Sequence, residues 1–304
     1  MDDLADWRDE WHDTLLDVAE ETRTVYLRSV NQFLAWLTDE APEVQAAKQI
    51  TRQHVHRWLG SLAEAGRSES TRRVRLIALR LWLGYIAADP NSGLPANPAE
   101  GVDLPTVKVQ PTPVIHDADL AALLRSADGA SFIDRRDTAI LRVLLDTGCR
   151  RAELAGIDLG DLDLRAHEIT LRRTKGGRGR IVPVGPKTAI ALRKYLRARA
   201  RHPLAESSAL FLSAKARSGD GRITGGAVAE MLSRRCEAIG LPAINPHRFR
   251  HTWASDLLAH GANEGDVEKL AGWRSPLMVR RYSASTAEAR ARDAARRLAR
   301  GDRV

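Results

Sequence analysis

A proline-rich break between residues 89 and 114 divides this chain and limits what it can fold into. Proline fixes its own backbone and lacks an N–H group, so regular helices and central strands do not run through such a stretch. At 304 residues the chain is long enough for two domains. We therefore expect a first domain at 23–104, a linker at 105–114, a second domain at 115–304 and an acidic arm at 1–22. The prolines are Pro90, Pro95, Pro98, Pro105, Pro111 and Pro113.

The part before the break carries only helical signals. One helix is expected from Thr22, a second after Thr51 as its N-cap, and a third from about 70 to 86. The acidic arm has Trp7 and Trp11 at near-helical spacing, which fits either a short amphipathic helix or a mobile arm. The third helix is expected to bury Val74, Ile77, Leu81, Trp82 and Tyr85.

The part after the break mixes helices with short strands. Strands are expected at 158–164, 169–173 and 180–184, the last two around a turn of glycine and basic residues. The expected fold class is mainly α with a small β-sheet: a helical-bundle domain followed by a mixed α/β domain. The expected helices are 117–126, 133–146, 151–156, 187–200, 225–238, 246–259, 263–271, a short one at Tyr282 and 286–300.

Charge is unevenly distributed along the chain. Residues 1–110 hold 12 basic and 17 acidic side chains, whereas 111–304 hold 35 basic and 22 acidic ones. Such an excess in the second part fits either a polyanionic partner or a solvated basic surface. Two cysteines, no apolar leader and no long apolar run favour a cytoplasmic protein without a membrane partner.

Four arginines lie on the third helix: Arg72, Arg73, Arg75 and Arg80. For each one alone a solvated helix face is the better interpretation. Together they fit a face that contacts phosphates.

Two basic residues of the second part could act on a phosphate. Arg150 follows a helix-ending glycine, and Glu153 three residues later could orient it. Lys175 lies in the glycine-rich turn with Arg178, where a flexible ammonium group can donate a proton. Taken singly, a surface ion pair and a solvated lysine are the better interpretations. The turn lacks the spacing of a nucleotide-binding P-loop.

A second set lies near the end of the chain. His247 and Arg250 share one helix face, and His251 lies four residues from His247. Because Arg250 would repel a cation, we favour an anion over a metal at this face. Trp273 could donate its indole N–H, although core packing is the usual role of a lone tryptophan. Tyr282 lies among basic residues that favour a nucleophilic phenolate.

This ordered set resembles the tyrosine recombinase (phage integrase) family. Thr147 to Leu154 resembles the Thr-Gly-x-Arg-x-x-Glu-Leu block, and Pro246 to Thr252 resembles the His-x-x-Arg-His box. Leu270 to Trp273 resembles the Leu-Gly-His block, and Tyr282 stands nine positions after Trp273. Trp273 replaces the more common histidine, which favours hydrogen bonding and packing over proton transfer. The resemblance covers about 24–304 and implies a minimal two-domain integrase or Xer-like recombinase.

The resemblance assigns the catalytic roles. Arg150 and Arg250 would hold the scissile phosphate, His247 would help to take the phenol proton, Tyr282 would attack, and Lys175 would protonate the leaving 5′-oxygen. Glu153 and His251 would support this set, and Trp273 would bond to the phosphate. The residues that would contact DNA are Arg72, Arg73, Arg80 and Arg178. No metal or cofactor is implied.

The resemblance also implies double-stranded DNA with inverted-repeat core sites as the substrate. The protein would be a monomer when free and a homotetramer on DNA, with an accessory directionality factor as a further partner. Trp273 favours integration or excision of a phage or other mobile element. The alternatives are an Xer-type chromosome-dimer resolvase, a type IB topoisomerase and a catalytically inactive DNA-binding regulator. A topoisomerase would act as a monomer on DNA.

Overall fold

A computed structural model describes residues 3–107, 113–172, 179–214 and 219–273, together with 275, 278–279, 291–292, 295–296 and 299–303. The chain divides into two compact units, Met1–Val109 and Gln110–Val304. Each unit has its own hydrophobic core, the first built from residues 4–104. The division falls inside the expected linker, whose residues 108–112 lie outside the described part of the chain.

The first unit is a helical bundle. Phe33, Trp58 and Trp82 meet at its centre, with Phe33 edge-on to both indoles at centroid distances of 5.1 and 6.4 Å. Such large rings supply much of the apolar area that a bundle of this size can bury. Its helices are α1 (Leu4–Thr14), α2 (Glu20–Glu40), α3 (Arg52–Glu64) and α4 (Glu69–Ala88).

The acidic segment at the start of this unit contains a helix. Asp3 caps α1 by accepting a hydrogen bond from the N–H of Ala5 at 2.9 Å. Trp7 and Trp11 are buried and contact Tyr85 and Tyr26, each at a ring distance of 6.3 Å. Of the two forms that the sequence left open, the structure has the helix.

Helix α4 buries only part of the face that was expected. Val74 and Leu81 are 36% and 47% exposed. Trp82 is buried as expected, but the leucines and the isoleucine of the neighbouring stripe pack into the bundle in place of Val74 and Leu81. The buried side chains are Leu76, Ala78, Leu79, Trp82, Leu83 and Ile86.

The second unit packs helices around a small sheet. Helices α6 and α8 pack against each other most extensively, and α10 lies against α6. The elements are α5 (Asp117–Ser126), α6 (Phe132–Thr147), α7 (Arg151–Ala155), β1 (Leu162–Asp163), β2 (Glu168–Leu171), β3 (Arg180–Pro183), α8 (Pro186–Arg199), α9 (Gly225–Glu237), α10 (Pro246–Ala259) and α11 (Glu264–Ala271).

Within the described residues the strands form one antiparallel sheet in the order β1-β2-β3, with Leu162 opposite Ile169 and Leu171 opposite Arg180. The expected strand at 158–164 is shorter than predicted. Residues 159–161 form a 3-10 turn because the Asp161 carboxylate accepts the N–H of Asp158 at 3.0 Å. The mainly α fold class with a small sheet is confirmed.

The end of the chain is described only in part. Of the expected helix at 286–300, residues 291, 292, 295 and 296 are helical, residue 299 is not helical, and a 3-10 turn begins at Arg300 and ends at Arg303. The other residues of that range lie outside the described part of the chain. Among the helices that the structure describes, none combines the length and apolarity that crossing a bilayer requires.

Candidate active site

Arg150 is placed by the sharp end of helix α6. Gly148 ends this helix in the left-handed region, with φ of +53°. A Cβ atom there would lie 2.5 Å from the indole of Trp253, so both the backbone and the packing require glycine. Two residues later Arg150 precedes α7, and its side chain is 31% exposed.

Glu153 connects Arg150 to a second arginine. Its carboxylate accepts the Arg150 backbone N–H at 2.8 Å and the Arg150 Nη1 at 2.9 Å. From β3, Arg180 donates to both oxygens of the same carboxylate at 3.1 and 2.8 Å. A bidentate ion pair between a guanidinium group and a carboxylate fixes both the position and the orientation of the carboxylate.

The same arrangement keeps Glu153 ionised. Burial by itself would raise the pKa of this carboxyl, but hydrogen bonds from Arg180 and from the backbone and side chain of Arg150 outweigh it, and the pKa lies below the usual 4.5. Because Glu153 stays negative, the Arg150 guanidinium is held at one end while its exposed part remains able to bind an anion.

Helix α10 brings the second arginine of the predicted set to the same place. The side chain of Asn245 caps this helix by accepting the N–H of Arg248 at 3.0 Å, and Pro246 fits its first turn. Arg250 is buried and donates to the carbonyl oxygens of Gly148 at 2.8 Å and Ala271 at 2.5 Å. It therefore links the ends of α6 and α11.

His247 faces the same cleft, which measures about 190 Å³ and is lined by Cys149, Arg150, Arg151, Pro246, His247 and Arg250. Burial lowers the pKa of His247 below its usual 6.5, and the charges of Arg250 and Arg150 lower it further. A neutral imidazole between two guanidinium groups can accept a proton beside a bound anion.

Trp273 packs against this cluster. The centre of its ring lies 5.0 Å from the Arg250 Cζ atom, within the range of a cation–π contact. Gly272, in the left-handed region with φ of +63°, ends α11 and directs the chain to Trp273. His251 is buried four residues after His247 on α10. Burial first, and then the charges of His247 and Arg248, lower its pKa.

The sequence profile described as the phage integrase family matches residues 114–289, and the one described as the phage integrase N-terminal SAM-like domain matches residues 9–88. The first match spans more than half of the chain. The chain belongs to the phage integrase family. It is a tyrosine recombinase, an enzyme that cleaves and rejoins DNA at specific sites.

Individual relatives cover almost the whole length. The recombinase is 28% identical over 299 residues to the tyrosine recombinase XerC of Syntrophus aciditrophicus (strain SB), with 93% of each chain covered. Its fold is similar to that of the Tn1549 transposon integrase in complex with transposon right end DNA, with a TM-score of 0.73, 19% identity and coverage of 98% of this chain and 100% of that chain.

A third comparison is with a lambda integrase tetramer bound to a Holliday junction. The TM-score is 0.71 at 14% identity, and the match covers 92% of this chain and 76% of that one. At this level of identity the two structural likenesses concern the fold of the recombinase.

The structure gathers five of the predicted site residues, namely Arg150, Glu153, His247, Arg250 and His251, with Trp273 beside them. Lys175, Arg178 and Tyr282 lie outside the described residues. Their roles remain predictions.

The arginines of α4 have varied surroundings. Arg80 donates to the carbonyl oxygens of Ala99 at 3.2 Å and Val102 at 2.5 Å, so it holds the segment after α4. Arg73 reaches the Pro105 carbonyl at 3.4 Å, and Arg72 pairs with Glu69 at 3.7 Å. Contact of these three arginines with DNA stays a prediction, and the bonds of Arg80 favour a structural role for it.

One residue of the site was missed in the sequence. Besides binding Glu153, Arg180 donates from Nε to the Leu270 carbonyl at 2.6 Å and so joins β3, α7 and α11. Its partners lie 27 and 90 residues away. No local spacing connects them, and the only signal was a basic residue at the start of a strand beside the lysine turn.

Proposed function

We propose that this recombinase cleaves and rejoins core sites to integrate or excise a mobile DNA element, with Arg150, His247 and Arg250 as its phosphate-binding centre. The observation that carries the proposal is that these three side chains, one just before α7 and two on α10, line one cleft. Two guanidinium groups and a neutral imidazole suit a single phosphodiester.

In this proposal the arginines stabilise the charge that builds on the phosphate oxygens during attack. Arg250 is held rigidly by two carbonyl groups, and Arg150 is held by Glu153. Preorganised donors of this kind need no rearrangement when charge develops. Glu153, His251 and Trp273 act by holding those groups in place.

The phenol of Tyr282 is the proposed nucleophile. Its oxygen forms a bond to the scissile phosphorus, its proton passes to His247, and the bond from phosphorus to the 5′-oxygen breaks. Lys175 supplies the proton to that oxygen. The products are a 3′-phosphotyrosyl link and a free 5′-hydroxyl group. Since one phosphate ester replaces another, the exchange needs no nucleotide hydrolysis.

The proposed substrate is double-stranded DNA with inverted-repeat core sites, bound by a homotetramer that forms from free monomers. Support comes from the similar fold of a lambda integrase tetramer bound to a Holliday junction. In this arrangement the expected helix at 286–300 would contact a neighbouring protomer, and an accessory factor would set the direction of exchange.

A mobile element is the proposed biological target because Trp273 takes the place of the common histidine and because the fold of a transposon integrase matches 98% of this chain. Chromosome-dimer resolution is the second candidate, favoured by the near full-length match to a XerC protein. A substrate carrying the junction of the element separates the two, because only an integrase would recombine it.

A covalent trap tests the nucleophile. The purified protein is mixed with fragmented DNA from its source, denatured and examined for DNA that remains attached. We expect adducts with the wild type and with Tyr26→Phe, which removes a phenol from α2, and none with Tyr282→Phe. Sequencing of the attached strands would reveal the core site.

The decisive substrate is then a nicked duplex across the recovered site or across the junction of the element. Failure of the wild type to form any adduct on it would contradict the catalytic proposal and favour a DNA-binding regulator. An adduct formed equally by Tyr282→Phe would assign the nucleophile elsewhere.

A further inference from the structure

A second cleft lies between helices α6 and α8, in the unit that holds the active site. It measures about 430 Å³ and shares no lining residue with the cleft of His247 and Arg250. Its lining contains one carboxylate, that of Asp128. Five cationic side chains surround it: Arg135, Arg142, Lys187, Lys194 and Arg197.

The cations form two rows. Arg135 and Arg142 are seven residues apart on α6, and Lys187, Lys194 and Arg197 follow on one face of α8. At 1.5 Å per residue the row on α8 extends for about 15 Å. A single phosphate would contact only part of this length, whereas a chain of phosphates could run along it.

The five cations lack ion pairs within the described residues. Other arginines of the same unit are paired, including Arg136 with Asp137, Arg222 with Asp158 and Arg235 with Asp134. Like charges that face one open cleft repel each other, and here only Asp128 offsets them. A bound polyanion would remove this repulsion.

Lys187 is the least expected member of the rows. It lies in the first turn of α8, where the helix dipole disfavours a cation, and that turn has no acidic residue. The side chain is exposed, so no packing explains it. A lysine placed against the dipole and toward a cleft is consistent with an anionic ligand.

We propose that the cleft between α6 and α8 binds the phosphate backbone of a DNA segment outside the core site. The proposal builds on the function proposed above, because a recombinase bound at one site holds further DNA at high local concentration. Arginine and lysine side chains contact phosphates without reading bases.

An acidic protein is a poorer match for this lining. Protein interfaces have an apolar centre rich in large side chains. In this cleft Ile190, at 50% exposure, is the one large apolar residue, and the remaining uncharged lining consists of Gly129, Ala130, Thr138 and Ala191.

The test compares Lys187→Gln/Lys194→Gln with the control Arg165→Gln/Arg193→Gln. Both variants lose two exposed charges, and the control residues do not line the cleft, although Arg193 is also on α8. Binding and covalent adducts are measured on the recovered core site, either bare at about 30 base pairs or extended by about 100 base pairs of flanking duplex.

We expect the cleft variant to match the wild type on the bare site. On the extended duplex it should bind roughly fivefold more weakly, as for the loss of two exposed charge contacts. The slope of log affinity against log salt should fall by about 1.8, since each lost phosphate contact removes about 0.9. The control should keep the wild-type affinity and slope.

Three results would overturn the proposal. One is equal binding of the extended duplex by the cleft variant and the wild type. Another is an equal loss in the control, which would indicate a general charge effect. The third is a loss on the bare site, which would make the cleft part of core-site binding.

If no adduct forms on any core site, the proposed function fails, and random-sequence duplexes of the same two lengths still test the cleft. Acetylation of Lys187 and Lys194 can be compared in the presence of polyglutamate and of the long duplex. Protection by polyglutamate but not by the duplex would favour an acidic protein partner and reject DNA.

Discussion

At the scale of single residues, Arg180 is the group whose importance emerged only from the fold. A lysine in its place cannot donate to both oxygens of Glu153 and also reach Leu270. We expect Arg180→Lys to lower the rate of single-turnover cleavage roughly ten- to hundredfold through misplacement of Arg150, with little change in DNA affinity.

The matched control for this prediction is Arg222→Lys. Arg222 also joins distant segments, donating to the carbonyl oxygens of Ala155 and Ile157 at 3.2 Å, but it does not contact Glu153 or α11. If both variants lose cleavage in proportion to their loss of thermal stability, Arg180 has only a structural role.

Gly148 gives a second prediction at this scale. Gly148→Ala requires an alanine at φ of +53° and a Cβ atom 2.5 Å from the Trp253 indole. We expect a loss of at least about 2 kcal/mol in the free energy of unfolding, measured by urea denaturation. The control is Gly160→Ala, where an added Cβ meets open space, and an equal loss there would contradict this explanation.

His247 makes the enzyme sensitive to pH. Burial first, and the charges of Arg250 and Arg150 second, lower its pKa below 6.5, so the imidazole is neutral at and above that pH. A group that must accept a proton stops working as it becomes protonated. Cleavage should therefore be flat above pH 6.5 and fall as the pH drops below it.

The measurement is a pH–rate profile of adduct formation on a nicked duplex. His247→Gln should be slower at every pH and should lose the fall in rate on the acid side of pH 6.5. Retention of that limb in the variant would assign it to another group, such as the buried His251.

At the scale of elements, the sequence predicted most of the helices because their apolar periodicity and caps are local. On α4 the prediction was right for Trp82 and wrong for Val74 and Leu81, because these two lie on an equally regular stripe and only packing in the bundle selects the other one. The cluster of Arg150, His247 and Arg250 could be anticipated from ordered motifs. The link through Arg180 could not, since it depends on how β3 lies against α7 and α11.

Helix α1 supplies a prediction at the same scale. Trp7 and Trp11 are each 3% exposed, so this acidic helix completes the core of the first unit. We expect Trp7→Ala to lower the free energy of unfolding of that unit by about 3–5 kcal/mol. Leu16→Ala, at a residue 80% exposed, should have almost no effect. Equal stability of both variants in urea would show that residues 1–22 behave as an arm.

At the scale of the whole molecule, each unit has its own hydrophobic core, and the uneven charge indicates which unit contributes most of the non-specific affinity for DNA. Residues 1–110 carry a net charge of −5 and residues 111–304 one of +13. Because non-specific affinity for DNA depends on the number of phosphates that cations neutralise, it should reside mainly in the second unit. We expect each of the separately expressed pieces 1–109 and 110–304 to unfold in a cooperative transition of its own. On a random duplex at low salt, 110–304 should bind with a steep salt dependence and 1–109 weakly. Stronger binding by 1–109 would show that the local charge of Arg72 and Arg73 outweighs the acidity of the rest of its unit, which would make α4 the principal DNA contact.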